Sequence, residues 1–117
     1  PCLASAAVTG CPGSFHLRGY GRVAIVPTGW NVPAAEPTEV RGGRQIVPHM
    51  NSRAYFADVC NAGTYDRREY LGLHLLGKTL TYTTDLSGAG CGCNAAFYLT
   101  SMRQNTQRSK CADYYCD

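Results

Sequence analysis

The sequence is poor in charged residues and in long apolar runs. Charged side chains make up 16% of its 117 residues, below the usual value of about a quarter, which argues against a disordered tail or a coiled coil. No apolar run approaches the roughly 18 residues of a membrane helix, so we expect no membrane partner. The 11 Lys and Arg residues form no block of like charge, so we expect no nucleic-acid partner. A chain of this length is expected to form one domain.

Cysteine, by contrast, is abundant. Seven cysteines in so short a chain are typical of a protein secreted into an oxidising compartment, so we expect disulfides and an extracellular location. Zinc is the competing use of thiols, and structural zinc sites usually separate paired cysteines by two to four residues. Cys91 and Cys93 do not have this spacing, and only Cys111 and Cys116 do, so we expect neither a metal nor a cofactor. Spacing does not fix the pairing. The disulfide candidates are Cys2, Cys11, Cys60, Cys91, Cys93, Cys111 and Cys116.

The odd number of cysteines and the two ends of the sequence suggest an incomplete chain. At least one cysteine lacks a partner within the chain, which indicates an intermolecular bond, a free thiol or a fragment of a longer protein. The sequence starts at Pro1 without an initiator methionine or a leader, and it ends at Asp117 directly after Cys116. We therefore expect either that a signal peptide has been removed or that upstream sequence is missing, and that the C-terminal side is truncated.

Helical periodicity is weak, and short strand patterns dominate. Residues 22–26 form an apolar, β-branched run that Pro27 and Gly29 are expected to end, and residues 31–43 are expected to be a loop because of their Pro and Gly content. Alternation and β-branched or aromatic content predict further strands. These lie at residues 45–47, 53–57, 69–76, 79–85 and 94–102. Short strands at roughly ten-residue spacing favour an all-β antiparallel sandwich.

Residues 75–102 contain the most specific pattern in the chain. Residues 75–78 read L-L-G-K, a strand pattern follows at 79–85, and residues 91–98 read C-G-C-N-A-A-F-Y. Their order and spacing resemble the fungal-type cellulases of glycoside hydrolase family 7, which have L-L-G, a strand ending D-V-S, and C-G-L-N-G-A-L-Y. Residues 52–55 and the terminal Y-C-D at 115–117 also look similar to segments of that family. The resemblance covers about residues 44–117, whereas residues 1–43 are loop-rich and match poorly.

The resemblance implies a jelly roll of the concanavalin-like kind, whose two stacked sheets form a glucan-binding cleft. The chain is then a single β-sandwich domain or a fragment of one. In the family, the cysteines matching Cys91 and Cys116 bond to partners further downstream, Cys93 replaces an apolar residue, and Cys60 and Cys111 look additional. The catalytic motif of the family, E-x-D-x-x-E, lies beyond the Y-C-D segment and does not occur here. Because retaining hydrolysis needs two carboxyl groups about 5–5.5 Å apart, we expect no catalytic residue and no activity from this chain alone.

Comparison with the family by position implies five residues that contact β-glucan. Asn94 and Asp117 would hydrogen-bond sugar hydroxyls, and Tyr98, Tyr115 and Trp30 would offer aromatic contacts. Each has a structural alternative. Tyr98 would be a core aromatic, and Asn94 would bond nearby backbone where a strand begins. Tyr115 and Asp117 would be part of a disordered terminus, and Trp30 would close one end of the sandwich.

The favoured interpretation is a secreted relative of the cellulose-degrading hydrolases whose ligand is β-1,4-glucan and whose full-length form cleaves with retention. The first alternative is a non-catalytic extracellular structural or glycan-binding protein. Such a protein would cover its open edge with a missing C-terminal portion or with other copies in a homo-oligomer. The second alternative is a small secreted ribonuclease that uses two of the residues His16, His49 and His74 with a Glu and an Arg. No local motif joins these histidines.

Overall fold

The computed structural model describes residues 10–28 and 36–115. Its strands are β1 (Ser14–Leu17), β2 (Gly21–Thr28), β3 (Glu39–Arg41), β4 (Gln45–Val47) and β5 (Arg53–Ala57). They form a three-stranded sheet in the order β1-β2-β5 and a separate β3-β4 hairpin, and every pairing is antiparallel. The described residues contain no helix, and hence none long and apolar enough to cross a membrane. The all-β, antiparallel class expected from the sequence is confirmed.

Strand β2 is the middle strand of the three-stranded sheet, and it is apolar on both faces. Val23 and Ile25 are completely buried, and Ala24 and Val26 nearly so, as is typical of a strand covered on two sides. The strand was expected to end at Pro27 but continues to Thr28. Ile25 directs its N–H toward the β1 side, where it meets the Gly13 carbonyl. Pro27, two positions on, directs its ring nitrogen the same way, past the end of β1, so no ladder bond is lost.

The two faces of the sheet pack against different parts of the chain. On one face, Val26, Tyr55 and Ala57 pack with Tyr70 and Met102 from the second half of the sequence. The other face carries four aromatic residues that we call the aromatic row. Successive ring centroids in this row lie 5.1, 5.6 and 4.8 Å apart, in the order Phe15, Phe56, Phe97 and Tyr82.

The β3-β4 hairpin occupies part of a segment expected to be a loop. Residues 39–41 form β3, and two glycines make the turn possible because Gly42 and Gly43 both have positive φ, at 58° and 64°. The hairpin packs against Gly13, where an added Cβ would lie 3.3 Å from the Cβ of Val40. The loop prediction for 31–43 is therefore wrong at 39–41, and β1 was also missed.

The three strands predicted at 69–76, 79–85 and 94–102 are wrong for this chain. Only Tyr70 pairs, in a single antiparallel bridge with Ala57, and residues 81–101 are exposed without regular structure. Strands are stabilised by hydrogen bonds to a neighbouring strand. Strand β5 meets the first segment only at Tyr70, and no strand among the described residues pairs with 79–85 or 94–102. Alternation predicts which side chains share a face, but it does not supply that neighbour.

Disulfide formation is confirmed. A bond joins Cys11, just before β1, to Cys60, just after β5, with their Cα atoms 6.0 Å apart. Cys111 is also disulfide-bonded. Cys91 and Cys93 are free and exposed and lie in residues 81–101, which we call the irregular segment.

Candidate functional site

Two residues expected to contact sugar, Tyr98 and Tyr115, meet in the structure. Their hydroxyl oxygens are 2.5 Å apart and hydrogen-bonded, and their ring centroids are 6.3 Å apart with an angle of 61° between the planes. Tyr98 is 55% exposed, so the alternative that it is a core aromatic is wrong for this chain. Tyr115 is half-buried, and its hydroxyl contacts that of Tyr98.

Strand β5 supplies the support for this pair. The guanidinium carbon of Arg53 lies 3.7 Å from the centroid of the Tyr115 ring, which is the geometry of a cation–π contact. The Tyr55 ring stacks on Tyr115 at 6.2 Å and 24°. Arg53 and Tyr55 are two positions apart on one strand and therefore point to the same face. We call Arg53, Tyr55, Tyr98 and Tyr115 the tyrosine patch.

A buried carboxylate holds the patch together from beneath. Asp113 is 1% exposed, and its Oδ2 accepts hydrogen bonds from Thr28 Oγ1 at 2.9 Å and from the Tyr55 hydroxyl at 2.6 Å. Its Oδ1 accepts from the Ser109 hydroxyl and from the Tyr115 backbone N–H at 3.2 Å. One side chain thus joins β2, β5 and the last described turn of the chain.

These bonds make Asp113 a structural anion and not an acid catalyst. Burial by itself raises the pKa of the Asp113 carboxyl. The hydrogen bonds from Ser109, Tyr55, Thr28 and the Tyr115 backbone outweigh burial, so the pKa lies below its ordinary value. The pKa of Tyr55 moves the other way, raised first by burial and then by its bond to Asp113. Both groups hold their charge state near neutral pH.

Of the other predicted sugar contacts, only Asn94 lies within the described residues. Asn94 is exposed in the irregular segment, and no hydrogen bond joins it to another described side chain. Trp30 and Asp117 lie outside the described residues, as do Cys2 and Cys116.

One pair of carboxylates does lie close together, at the hairpin. Ligand atoms of Glu36, Glu39 and His49 are all within 4.8 Å of one another, near the separation used by retaining glycosidases. Glu39, however, accepts two hydrogen bonds from Arg41, at 3.0 and 3.2 Å. Together with His49 these bonds lower the pKa of Glu39 to about 2. Glu36 is exposed, so we assign this pair no catalytic role.

Sequence reasoning missed Arg53, Tyr55 and Asp113 as parts of the site. The first two belong to a correctly predicted strand, and their spacing already places them on one face. Asp113 carries no comparable signal, since an acidic residue near a chain end is usually solvated.

Comparison with known proteins places the chain in a family. The sequence profile of Glycosyl hydrolase family 7 matches residues 42–114, a range that includes Arg53, Tyr55 and Tyr98. An endo-beta-1,4-glucanase, celB of Emericella nidulans, is 32% identical over 87 residues, which cover 68% of this chain and 20% of that protein. The chain thus matches about a fifth of the length of this relative. No solved structure gives a significant match. Because the family profile covers more than half of the sequence, the chain belongs to glycosyl hydrolase family 7.

Proposed function

We propose that this chain is a glucan-holding part of a secreted family 7 glycoside hydrolase and that the tyrosine patch contacts β-1,4-linked glucan. The observation that carries the proposal is the contact between the Tyr98 and Tyr115 hydroxyls, with the Tyr115 ring held against Arg53. The endo-beta-1,4-glucanase match supports the choice of glucan as the ligand class.

The chemistry of the patch suits a sugar. Pyranose rings have C–H faces that pack on aromatic rings, and hydroxyls that need fixed donors and acceptors. Tyr98 is 55% exposed, and the paired phenol oxygens of Tyr98 and Tyr115 offer donor and acceptor capacity at one point. Stacking on Tyr55 and Arg53 holds the Tyr115 ring before a ligand arrives, which reduces the entropy cost of binding.

We further propose that the 117-residue chain binds glucan without cleaving it. The E-x-D-x-x-E motif is absent from this sequence, and the close pair Glu36 and Glu39 is unsuited to the reaction because Arg41 and His49 keep Glu39 ionised. Cleavage would then belong to residues of a longer polypeptide. Secretion is supported by the Cys11–Cys60 disulfide, since such bonds persist in oxidising compartments.

The test is calorimetric titration with cellohexaose. We expect saturable binding, weakened roughly fivefold by Tyr98→Ala, which corresponds to about 1 kcal/mol for one aromatic contact. The matched control is Tyr82→Ala, because Tyr82 is similarly exposed, at 59%, but belongs to the aromatic row. Absence of binding by the unmodified chain, or equal losses in both variants, would contradict the proposal. Release of reducing ends from the hexaose would contradict the part concerning cleavage.

A second candidate function, non-catalytic assembly with other chains, is favoured by the irregular segment. Its exposed apolar side chains include Leu86, Phe97 and Leu99, and it carries the free thiols Cys91 and Cys93. Exposed apolar surface of this kind marks a contact site. Sedimentation with and without reductant tests it: a disulfide-linked or apolar oligomer supports assembly, and a monomer at all concentrations contradicts it.

The ribonuclease alternative gains no support. His16 lies on β1, His49 bonds Glu39, and His74 is exposed. No contact within the described residues joins two of these histidines, whereas an acid–base pair must reach one substrate.

A further inference from the structure

We propose that the β3-β4 hairpin binds a divalent transition-metal ion, Zn²⁺ as the test case, through His49 Nε2, Glu39 Oε1 and Glu36 Oε2. The cluster shares no residue with the tyrosine patch, so the proposal is independent of the glucan-binding proposal. No metal was expected from the sequence, but that expectation considered cysteine spacing and not this combination of carboxylates and imidazole.

The hairpin brings three ligand atoms together from three positions. Glu39 is on β3, His49 follows β4, and Glu36 precedes β3. The Nε2 atom of His49 is 2.5 Å from Glu39 Oε1 and 3.6 Å from Glu36 Oε2, and all three atoms are mutually within 4.8 Å. Zinc bonds to nitrogen and oxygen are about 2.0–2.2 Å long, so tetrahedral ligands are roughly 3.4 Å apart. Glu39 must move back slightly from His49, and the Glu36 side chain, 67% exposed, is free to move inward.

Arg41 orients the Glu39 carboxylate without blocking this site. Its Nε donates to Oε2 at 3.0 Å and its Nη2 donates to Oε1 at 3.2 Å. A metal on Oε1 displaces only the longer bond, and the Oε2 bond stays as the outer-shell contact that ligating carboxylates usually have. Two carboxylates against one guanidinium leave the cluster negative, which favours a cation.

The donor set selects the class of metal. Ca²⁺ and Mg²⁺ prefer oxygen ligands throughout, whereas imidazole with carboxylates suits Zn²⁺ and related ions. Three protein ligands leave one tetrahedral position, which water would fill. The competing interpretation is a simple ion pair between His49 and Glu39, and it predicts no metal affinity.

The experiment is titration of the chain with Zn²⁺, and separately with Ca²⁺, after every thiol that is not in a disulfide, Cys91 and Cys93 included, is alkylated so that thiols do not bind the metal. We expect saturable 1:1 Zn²⁺ binding and none of Ca²⁺ at the same concentrations. His49→Ala should weaken Zn²⁺ binding more than tenfold, since loss of an outer-shell partner alone costs about 10–100-fold. His16→Ala is the matched control, being an exposed histidine on β1, and should leave the affinity unchanged.

Glu36→Gln is a second test in case the His49 variant fails to fold. Glu36 is largely exposed, so its substitution leaves the hairpin contacts in place. It should also weaken Zn²⁺ binding. As a spectroscopic check, Co²⁺ bound to the alkylated chain should show no thiolate charge-transfer band. Failure of the alkylated chain to bind Zn²⁺ would overturn the proposal, as would equal affinities in Glu36→Gln and the unmodified chain. Loss of binding in His16→Ala would overturn it as well.

Discussion

Two regions of the chain have strand-like sequences, and only one of them forms strands. Strand β2 pairs with β1 on one side and β5 on the other, and its apolar side chains are buried. Residues 79–85 alternate as regularly as any strand in the sequence, yet all of them except the half-buried Leu80 are exposed, and none pairs with a strand within the described part of the chain. Because both regions have β-forming residues, intrinsic propensity does not explain the difference.

The difference is the presence of hydrogen-bonding neighbours. Residues 97 and 98 still face opposite ways although no neighbouring strand bonds to them. Phe97 contacts Phe56, while Tyr98 contacts Tyr115. Phe56 and Tyr55, which stacks on Tyr115, are adjacent on β5 and point to opposite faces. Alternation in 94–102 therefore distributes side chains to both sides of the sheet even though no ladder forms.

The largest expected effect contrasts the two regions directly. Ile25→Ala should lower the free energy of unfolding by about 2–5 kcal/mol, because it leaves a cavity in a fully buried position. Leu99→Ala, in the exposed segment, should change it by less than about 0.5 kcal/mol. Urea unfolding measures both, and similar losses in the two variants would mean that residues 94–102 are packed as tightly as β2.

Asp113 tests whether the last described turn is joined to the sheet. Asp113→Ala leaves Thr28, Tyr55 and Ser109 without their acceptor, and we expect a loss of about 3 kcal/mol in the free energy of unfolding. Asp66→Ala, which removes an exposed ion pair with Arg68, should have little effect. If the two variants unfold at the same urea concentration, the carboxylate does not fasten these elements.

The same residue predicts a pH dependence. The folded-state pKa of Asp113 lies below the unfolded value of about 3.9, so its contribution is complete above that pH and is lost as the pH falls further. The free energy of unfolding should therefore decline below about pH 4. Asp113→Asn should flatten this decline, and the slope that remains belongs to exposed carboxylates such as Glu39. An unchanged slope in Asp113→Asn would contradict the assignment.

The smallest expected effect is at the free thiols. Alkylation of Cys91 and Cys93 should be fast in the native protein because both are exposed, and it should change the free energy of unfolding by less than about 0.5 kcal/mol. Mass spectrometry under native conditions counts the modified thiols. Protection of either thiol until the protein unfolds would show that the irregular segment is covered.

The sequence predicted the strands whose signal is local. Strands β2 and β4 were predicted from β-branched runs, and β5 was predicted from its two adjacent aromatic residues. Each of these runs is bounded by Pro, Gly or Asn. Strand β1 was missed because its sequence, S-F-H-L, is short and mixed. Strand β3 was missed because it has only three residues and the Pro and Gly residues around it predict a loop.

The site was predictable only where the family supplied a position. Tyr98 and Tyr115 were predicted in this way to contact sugar, and the structure shows that they contact each other. The role of Asp113 depends on contacts with residues up to 85 positions away in the sequence. Residue spacing does not predict such contacts. The same holds for the cluster of Glu36, Glu39 and His49, which depends on the register of the β3-β4 hairpin. That hairpin was not predicted, because residues 31–43 were expected to be a loop.

The most direct test of the glucan-binding surface is aromatic NMR of the tyrosine-labelled chain during a cellohexaose titration. The account predicts that the resonances of Tyr98 and Tyr115 move with ligand, while those of Tyr82 and Tyr20, also exposed, stay in place. Movement of Tyr82 without Tyr98, or no movement among the eight tyrosines, would contradict it.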